Sequence, residues 1–354
     1  MKAINILHIC IFSFFTLNYA KAQTLNCDTP ASPDELKNVK LDSVRSIAGY
    51  TTAKTVRVVF HILRNNDGTN AAATEAYLEG ELNKIRNEYQ PWDICFALLG
   101  FNYINNTTLN TSMNSNNSAH TAALFPNDWS NALNIYCHQE LSNNNGTGLI
   151  GTAYAIPSTH LSIDIPENFD GVLSHEIGHC LGLYHTFETA FGNELVNGSN
   201  CSSAGDKVCD TPADPNGNFN SSTCVYTGTT RDANNQLYSP MIHNIMSYYF
   251  NCMTIFTAGQ RTRIYDTIAS NSTIASMTMQ TNTVNISNQN YSSGRWWGTA
   301  RNTLNVGNIG NAGDVNATGS ANVYYTSKLI SLKPGFRAAP TSGRIRILTY
   351  GCLF

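Results

Sequence analysis

His175-Glu176-Ile177-Gly178-His179-Cys180-Leu181-Gly182-Leu183-Tyr184-His185, or HEIGHCLGLYH, gathers three of the chain's nine histidines into one short stretch. A four-residue spacing puts His175 and His179 one helical turn apart on one face, where two neutral imidazoles can share a metal ion. Glu176 points about 100° away around the helix. It is therefore out of the ligand set but within reach of a water on that metal. Gly182, three residues after His179, accepts the positive φ that ends a helix and turns the chain sharply. His185 can then swing in from outside the helix as a third ligand. Three protein ligands leave a fourth position open for water, which distinguishes catalytic from structural zinc. HExxH alone also occurs on surface helices that bind nothing; the added Gly and third His make this stretch a zinc-hydrolase signature.

The chain has 354 residues, 42% of them hydrophobic, enough for two domains or for one with appendages. Only 13% are charged and the net charge is −3, which gives no basis for binding nucleic acid or an anionic membrane. Lys2, the apolar run Ile4–Leu17 and Ala20-Lys21-Ala22 have the pattern of a signal peptide over residues 1–22, with mature protein expected from Gln23. That run is short for a transmembrane span, and no later stretch is long and apolar enough, so a secreted chain without a transmembrane anchor is expected. Of ten cysteines the leader removes Cys10, leaving Cys27, Cys95, Cys137, Cys180, Cys201, Cys209, Cys224, Cys252 and Cys352. An exported chain so rich in cysteine is expected to carry disulfides, with at least one thiol left over. Cys95–Cys137 is one expected pair, on the premise that their strands are neighbours.

Residues 23–50 are polar, with a weak helical stretch at Leu36–Val44, and read as a pro-segment or N-terminal tail. Thr55–Leu63 is rich in β-branched residues and predicts a core strand; Ile94–Phe101, Leu133–Cys137 and Gly151–Ile156 predict three more. Thr74–Tyr89 has helical spacing, Asn102–Ala119 reads as a solvated loop, and Gly171–Leu183 as the helix bearing HExxH. Residues 187–240 are Gly/Asn/Asp/Ser/Thr/Pro-rich and read as a loop-dominated half held by cross-links. Thr257–Ala269 predicts a closing helix, and from residue 276 short Asn/Ser/Thr/Val segments with glycine turns suggest a β module.

HEIGHCLGLYHTF closely resembles the signature of the pappalysin family of metzincin metalloproteases, which includes ulilysin-like and cytophagalysin-like enzymes. Gly205-Asp206-Lys207-Val208-Cys209-Asp210-Thr211-Pro212 resembles the family's GDxVxDTP segment, and Asn244-Ile245-Met246-Ser247-Tyr248 its Met-turn. Cys252, Phe256-Thr257 and Gln260 resemble the start of its last helix, so the likeness spans roughly residues 55–270. It implies an α+β fold: a metzincin-type catalytic domain, with a twisted mixed sheet plus helices above the cleft and a loop-rich, disulfide-linked half below. With the tail, the expected organisation is a catalytic domain over 51–275 and a small C-terminal all-β module over 276–354.

The resemblance implies a secreted zinc endopeptidase with His175, His179 and His185 on one zinc ion. Glu176 would activate the zinc-bound water and pass its proton to the leaving amine. Met246 would lie beneath the histidines as an apolar floor, and Tyr248 would approach the metal or the oxyanion. Asn251 stands where relatives that cut before basic residues carry an acid, which speaks against a strong arginine preference in the pocket it shapes. The GDxVxDTP segment implies a calcium site from Asp206, the Val208 carbonyl and Thr211, with Asp210 nearby; hard oxygen ligands suit calcium. Implied disulfides are Cys201–Cys224 and Cys209–Cys252. Cys27 has two readings, a latency switch on the open zinc position or a disulfide with Cys352, and Arg45-Ser46 is a plausible processing bond. Gly313–Phe354 resembles a small β module of secreted Bacteroidetes proteins, which implies cell-surface or glycan attachment; Trp296-Trp297 would line such a surface or be buried between layers. Protein or peptide substrates follow. The rival reading is an exported adhesin or binding protein on an inactive protease fold, against which the intact Glu176 and three histidines argue.

Overall fold

The computed structural model describes Cys27, Thr29 and residues 53–166, 171–350 and 352. The signal peptide, the Leu36–Val44 stretch and the Arg45-Ser46 bond lie outside them. The central element is β1 (Lys54–Arg64), whose Val56, Val58, Val59, Phe60 and Ile62 are buried on both faces, as a near-continuous apolar run in a parallel sheet requires. After it come α1 (Glu75–Tyr89), begun by the Thr74 hydroxyl accepting from the Tyr77 N–H, and β2 (Ile94–Asn105). Asn102–Ala119 is not the expected loop. β2 runs to Asn105, and α2 (Thr107–Thr111), β3 (Met113–Asn114) and α3 (Ser118–Leu124) follow. The asparagines that suggested solvation are caps: Asn106 Oδ1 accepts from Leu109 N–H, and Asn117 Oδ1 from the Ala119 and His120 N–H groups.

Next come β4 (Leu133–His138), β5 (Leu141–Ser142), β6 (Gly151–Ala153) and β7 (His160–Asp164). The main sheet has the order β2-β1-β4-β7-β6, all parallel except β6 against β7. It corrects one expected disulfide. β1 lies between β2 and β4, so Cys95 and Cys137 are not on adjacent strands; Cys95 bonds Cys352, and Cys137 is a buried thiol.

α4 (Val172–Cys180) packs against β6 and β7 with every residue buried. Beyond it the chain is mostly loop, with a short hairpin, β8 (Phe219–Asn220) and β9 (Val225–Tyr226), then α5 (Ala258–Ser270) and α6 (Ser272–Ser276). Thr257 and Gln260 cap α5 reciprocally. The four cysteines of this half are all bonded, but the implied connectivity is wrong: the pairs are Cys201–Cys209 and Cys224–Cys252. The loop between Cys201 and Cys209 doubles back and brings their Cα atoms to 4.9 Å, so each closes a local loop.

The tail is all-β but has an unexpected topology. Nine strands, β10 (Thr283–Ile286), β11 (Gln289–Tyr291), β12 (Arg295–Thr299), β13 (Thr303–Val306), β14 (Val315–Gly319), β15 (Asn322–Ser327), β16 (Leu329–Leu332), β17 (Phe336–Pro340) and β18 (Arg344–Thr349), wind through three turns. Each turn adds one strand to each of three parallel sheets, β10-β13-β16, β11-β14-β17 and β12-β15-β18. This is a short β-solenoid around Leu304, Val306, Val315, Ala317, Val323 and Tyr325. Its third sheet docks on β2, the edge of the main sheet. Thr326 Oγ1 donates to Leu98 O at 2.6 Å, Gly100 leaves room for the Tyr324 ring, and Trp297 stacks on buried Trp129 at 5.5 Å. Arg344 and Arg346 both pair with Glu75. Trp297 therefore packs one face of its ring between the solenoid and the main sheet, although it and Trp296 are both exposed.

Candidate active site

α4 starts at Gly171, whose φ of 88° no β-carbon residue adopts easily and whose Cα faces Met253. It ends where Leu181 N–H donates to Ile177 O and Gly182 turns at φ 99°. That turn brings His185 back over the helix. The Nε2 atoms of His175, His179 and His185 form a triangle with edges of 3.1, 3.0 and 3.2 Å. The Nδ1 of His175 lies 2.7 Å from Ile245 O and that of His179 2.8 Å from Leu183 O. A carbonyl only accepts, so each Nδ1 carries the proton and each Nε2 presents a lone pair. Lone pairs converging at 3 Å repel unless a cation lies among them, and the edges suit zinc about 2.0–2.1 Å from each nitrogen. Burial holds the three imidazoles in the neutral form that a metal needs: it pulls His175 down to about 4 and His179 and His185 well below the ordinary imidazole value, with the neighbouring histidines adding to the last two.

Beneath this triangle Met246 is fully buried, with its sulfur against Gly178, where a β-carbon would not fit. The Asn244–Gln260 amide pair, two hydrogen bonds of 3.0 Å, ties that turn to α5, and Asn244 Oδ1 accepts from Met246 N–H. Glu176 is fully buried beside Gly151 of β6; its Oε1 has no protein partner. Burial pushes its carboxyl up to about 7, against the hydrogen bonds that lower it. A buried carboxylate oxygen without a partner, beside three converging Nε2 atoms, fits a metal site with a polarised water or carbonyl beside it.

Against known families, the Peptidase_M43 model, described as pregnancy-associated plasma protein-A, matches residues 159–269. An extracellular metalloprotease of Arthroderma otae is 31% identical over 238 residues, covering 60% of this chain and 77% of that protein. One from Colletotrichum graminicola is 28% identical over 273 residues, covering 68% of this chain and 88% of its own length. This chain is a metalloprotease of the pappalysin family. Membership implies a zinc ion and a protein or peptide substrate. Among solved structures, a mutant of promirolysin from Tannerella forsythia aligns at 20% identity with a TM-score of 0.46, covering 64% of this chain and 85% of that one. No helix among the described residues is long and apolar enough to cross a membrane.

The protease site is filled from the N-terminal side. The Cys27 sulfur and the three Nε2 atoms all lie within 4.8 Å of one another. Cys27 makes a parallel bridge with Gly151, and its N–H and C=O both meet the Tyr248 hydroxyl, at 3.2 and 2.6 Å. The disulfide reading of Cys27 therefore fails: the thiol is free, and Cys352 is taken by Cys95. Thr29, which no sequence signal marked, donates from Oγ1 to Glu176 Oε2 at 3.2 Å and accepts from the Ala153 N–H at 2.9 Å.

The oxygen cluster is only partly as expected. Buried Asp206 accepts from the Val208 N–H and the Thr211 hydroxyl, and Thr211 Oγ1 also meets Val208 O. Asp210 faces elsewhere: its two oxygens take the Thr257 hydroxyl and the Gly259 N–H at 2.7 Å each, so it caps α5. Its place is filled by Glu194, missed from the sequence because it lies outside the GDxVxDTP segment. Glu194 packs against Gly205, its Oε2 is buried without a partner, and burial pushes it up to about 7 and Asp206 well above its usual range. Asn251 is exposed, in a left-handed turn at φ 69°.

A β-carbon at Gly151 would lie 2.8 Å from Glu176 Cγ and Oε1. Gly151→Ala should therefore displace the carboxylate and lower kcat by about 10–100-fold. Zinc content by atomic absorption should stay stoichiometric; an unchanged kcat would show that Glu176 has room to move.

Proposed function

We propose that this chain is a secreted zinc endopeptidase, made latent, in which His175, His179 and His185 hold the zinc and Glu176 is the general base. The observation that carries this is the Nε2 triangle with the partnerless Glu176 oxygen beside it. Zinc held there supplies a water of pKa near 7 and polarises the scissile carbonyl. Glu176 takes the nucleophile's proton and later hands it to the leaving amine, a shuttle favoured by a carboxyl whose burial brings it near neutrality. Tyr248, freed from Cys27, donates its hydroxyl to the carbonyl oxygen as charge develops there. Met246 contributes shape, not ligation. Secretion is supported by the extracellular relatives and the leader-like N-terminus. Glu176→Gln should cut turnover by about 10²–10⁴-fold with zinc still bound. Comparable rates in the two proteins would remove Glu176 from the mechanism.

Latency rests on Cys27 and Thr29 together. The thiol covers the histidines while the Thr29 hydroxyl ties up the base and the β6 N–H that a substrate backbone would need. The full chain with Cys27→Ala should hydrolyse a protein substrate roughly tenfold faster than the wild-type full chain, because less of it is held in the blocked state. Equal rates at equal zinc content would rule the switch out.

Glu194, Asp206, the Val208 carbonyl and Thr211 form the calcium site we propose. Burial disfavours ionisation of both carboxyls, and the Glu194 charge adds to this at Asp206; a divalent cation resolves that conflict. Calcium at about 100 times its Kd should add about 2.7 kcal/mol of stability, read as a rise in thermal midpoint that Glu194→Gln abolishes. A midpoint insensitive to calcium in the wild type would refute the site.

A further inference from the structure

We propose that Phe250, with Phe187 and Tyr248, forms an apolar wall beside the three histidines that selects an apolar or aromatic substrate side chain next to the bond that is cut. This rests on the endopeptidase reading above and adds its substrate class. Phe187 stacks on His185 with ring centres 4.7 Å apart and 12° between planes. Tyr248 lies edge-on to Phe187 at 4.6 Å and to His185 at 4.9 Å, and Phe250 stacks on Tyr248 at 5.5 Å. These rings form one continuous row starting at the metal site. Phe187, Tyr248 and Phe250 are each only half-buried, so the row keeps an open face. It is also held in place: Phe250 backs onto the main hydrophobic core, and the Tyr248 hydroxyl contacts the Cys27 backbone, which marks the row as a border of the channel a peptide occupies.

The electrostatics point the same way. A pocket for Lys or Arg needs a carboxylate to replace the water that a buried cation loses. The buried acid carried close to this row is Asp214, and it is fully engaged: Oδ2 accepts from Thr186 Oγ1 at 2.6 Å, and Oδ1 from the Tyr249 hydroxyl at 2.7 Å and the Asn216 N–H at 2.8 Å. Glu176 is committed to proton transfer. Phe250 and Asn251, the residues after the two tyrosines, are neutral. An apolar side chain laid on the row removes aromatic surface from water at no such cost.

The test uses the zinc-loaded full chain with Cys27→Ala, alone and combined with Phe250→Asp or Phe250→Ser. Cut sites in a denatured protein mixture are mapped by mass spectrometry, and kcat/KM is measured on peptide pairs differing only as Leu or Arg beside the scissile bond. With Phe250 present, Leu should be preferred by about tenfold or more at one flanking position. Phe250→Asp should collapse or reverse that ratio, and Phe250→Ser should lower it, both with zinc content retained; the serine variant guards against misfolding of the aspartate one. A preference for Arg in the parent, as cation–π binding to the rings would give, overturns the proposal, as does a ratio unmoved by both variants. Absence of any cut with zinc bound would instead sink the endopeptidase reading beneath it, and the proposal with it.

Discussion

Three neutral imidazoles facing one another across about 3 Å in a dry interior are an unfavourable arrangement that the rest of the molecule is organised to hold. Burial keeps them unprotonated, and backbone carbonyls of Ile245 and Leu183 fix the tautomers of two of them. The helix that carries His175 and His179 can sit in such a place only because it is covered on every side: by β6 and β7, by the turn at Met246, and by α1, whose Tyr89 hydroxyl donates to Ser174 O. Two glycines set the tolerances, with Gly178 admitting the Met246 sulfur and Gly151 admitting the Glu176 carboxyl.

Between His185 and α5 the chain has almost no sheet, and polar side chains supply its framework instead. Asp214 joins Thr186 to Tyr249, Asp232 collects the N–H groups of Val196, Asn234 and Gln236, and Asp210 fastens its loop to the start of α5. Their oxygens take hydroxyls and the backbone N–H groups of loops that have no helix or strand ladder to pair them. Cys201–Cys209 and Cys224–Cys252 close local loops within that framework. The two ends of the chain act on the catalytic part differently. Cys27 and Thr29 enter the cleft, while the solenoid covers the β2 edge and is joined to it through Cys95–Cys352.

Much of this was legible in the sequence because it depends on local spacing. The helix with its two histidines, the turn at Gly182, the β-branched run of β1 and the all-β character of the tail follow from periods of 3.6 and 2 and from glycine's freedom. What misled was chemistry with two uses. The asparagines of 102–119 resemble a loop but cap helices, and Asp210 resembles a cation ligand but caps α5. Cysteine pairing was misread in every case, since a list of cysteines does not say which strand lies between which.

By itself, then, the sequence determined the helix that carries His175 and His179, its glutamate, the third histidine beyond Gly182, the core strands β1, β2, β4 and β6 and the helices α1 and α5, because these need only neighbours along the chain. Only the tertiary structure decided that Thr29 meets Glu176, that Glu194 joins Asp206, that Phe187, Tyr248 and Phe250 line up, and that the tail winds into a solenoid against β2. These groups are brought together by burial of the common core and by closure of long loops, and such contacts leave no periodic trace in the residues that make them.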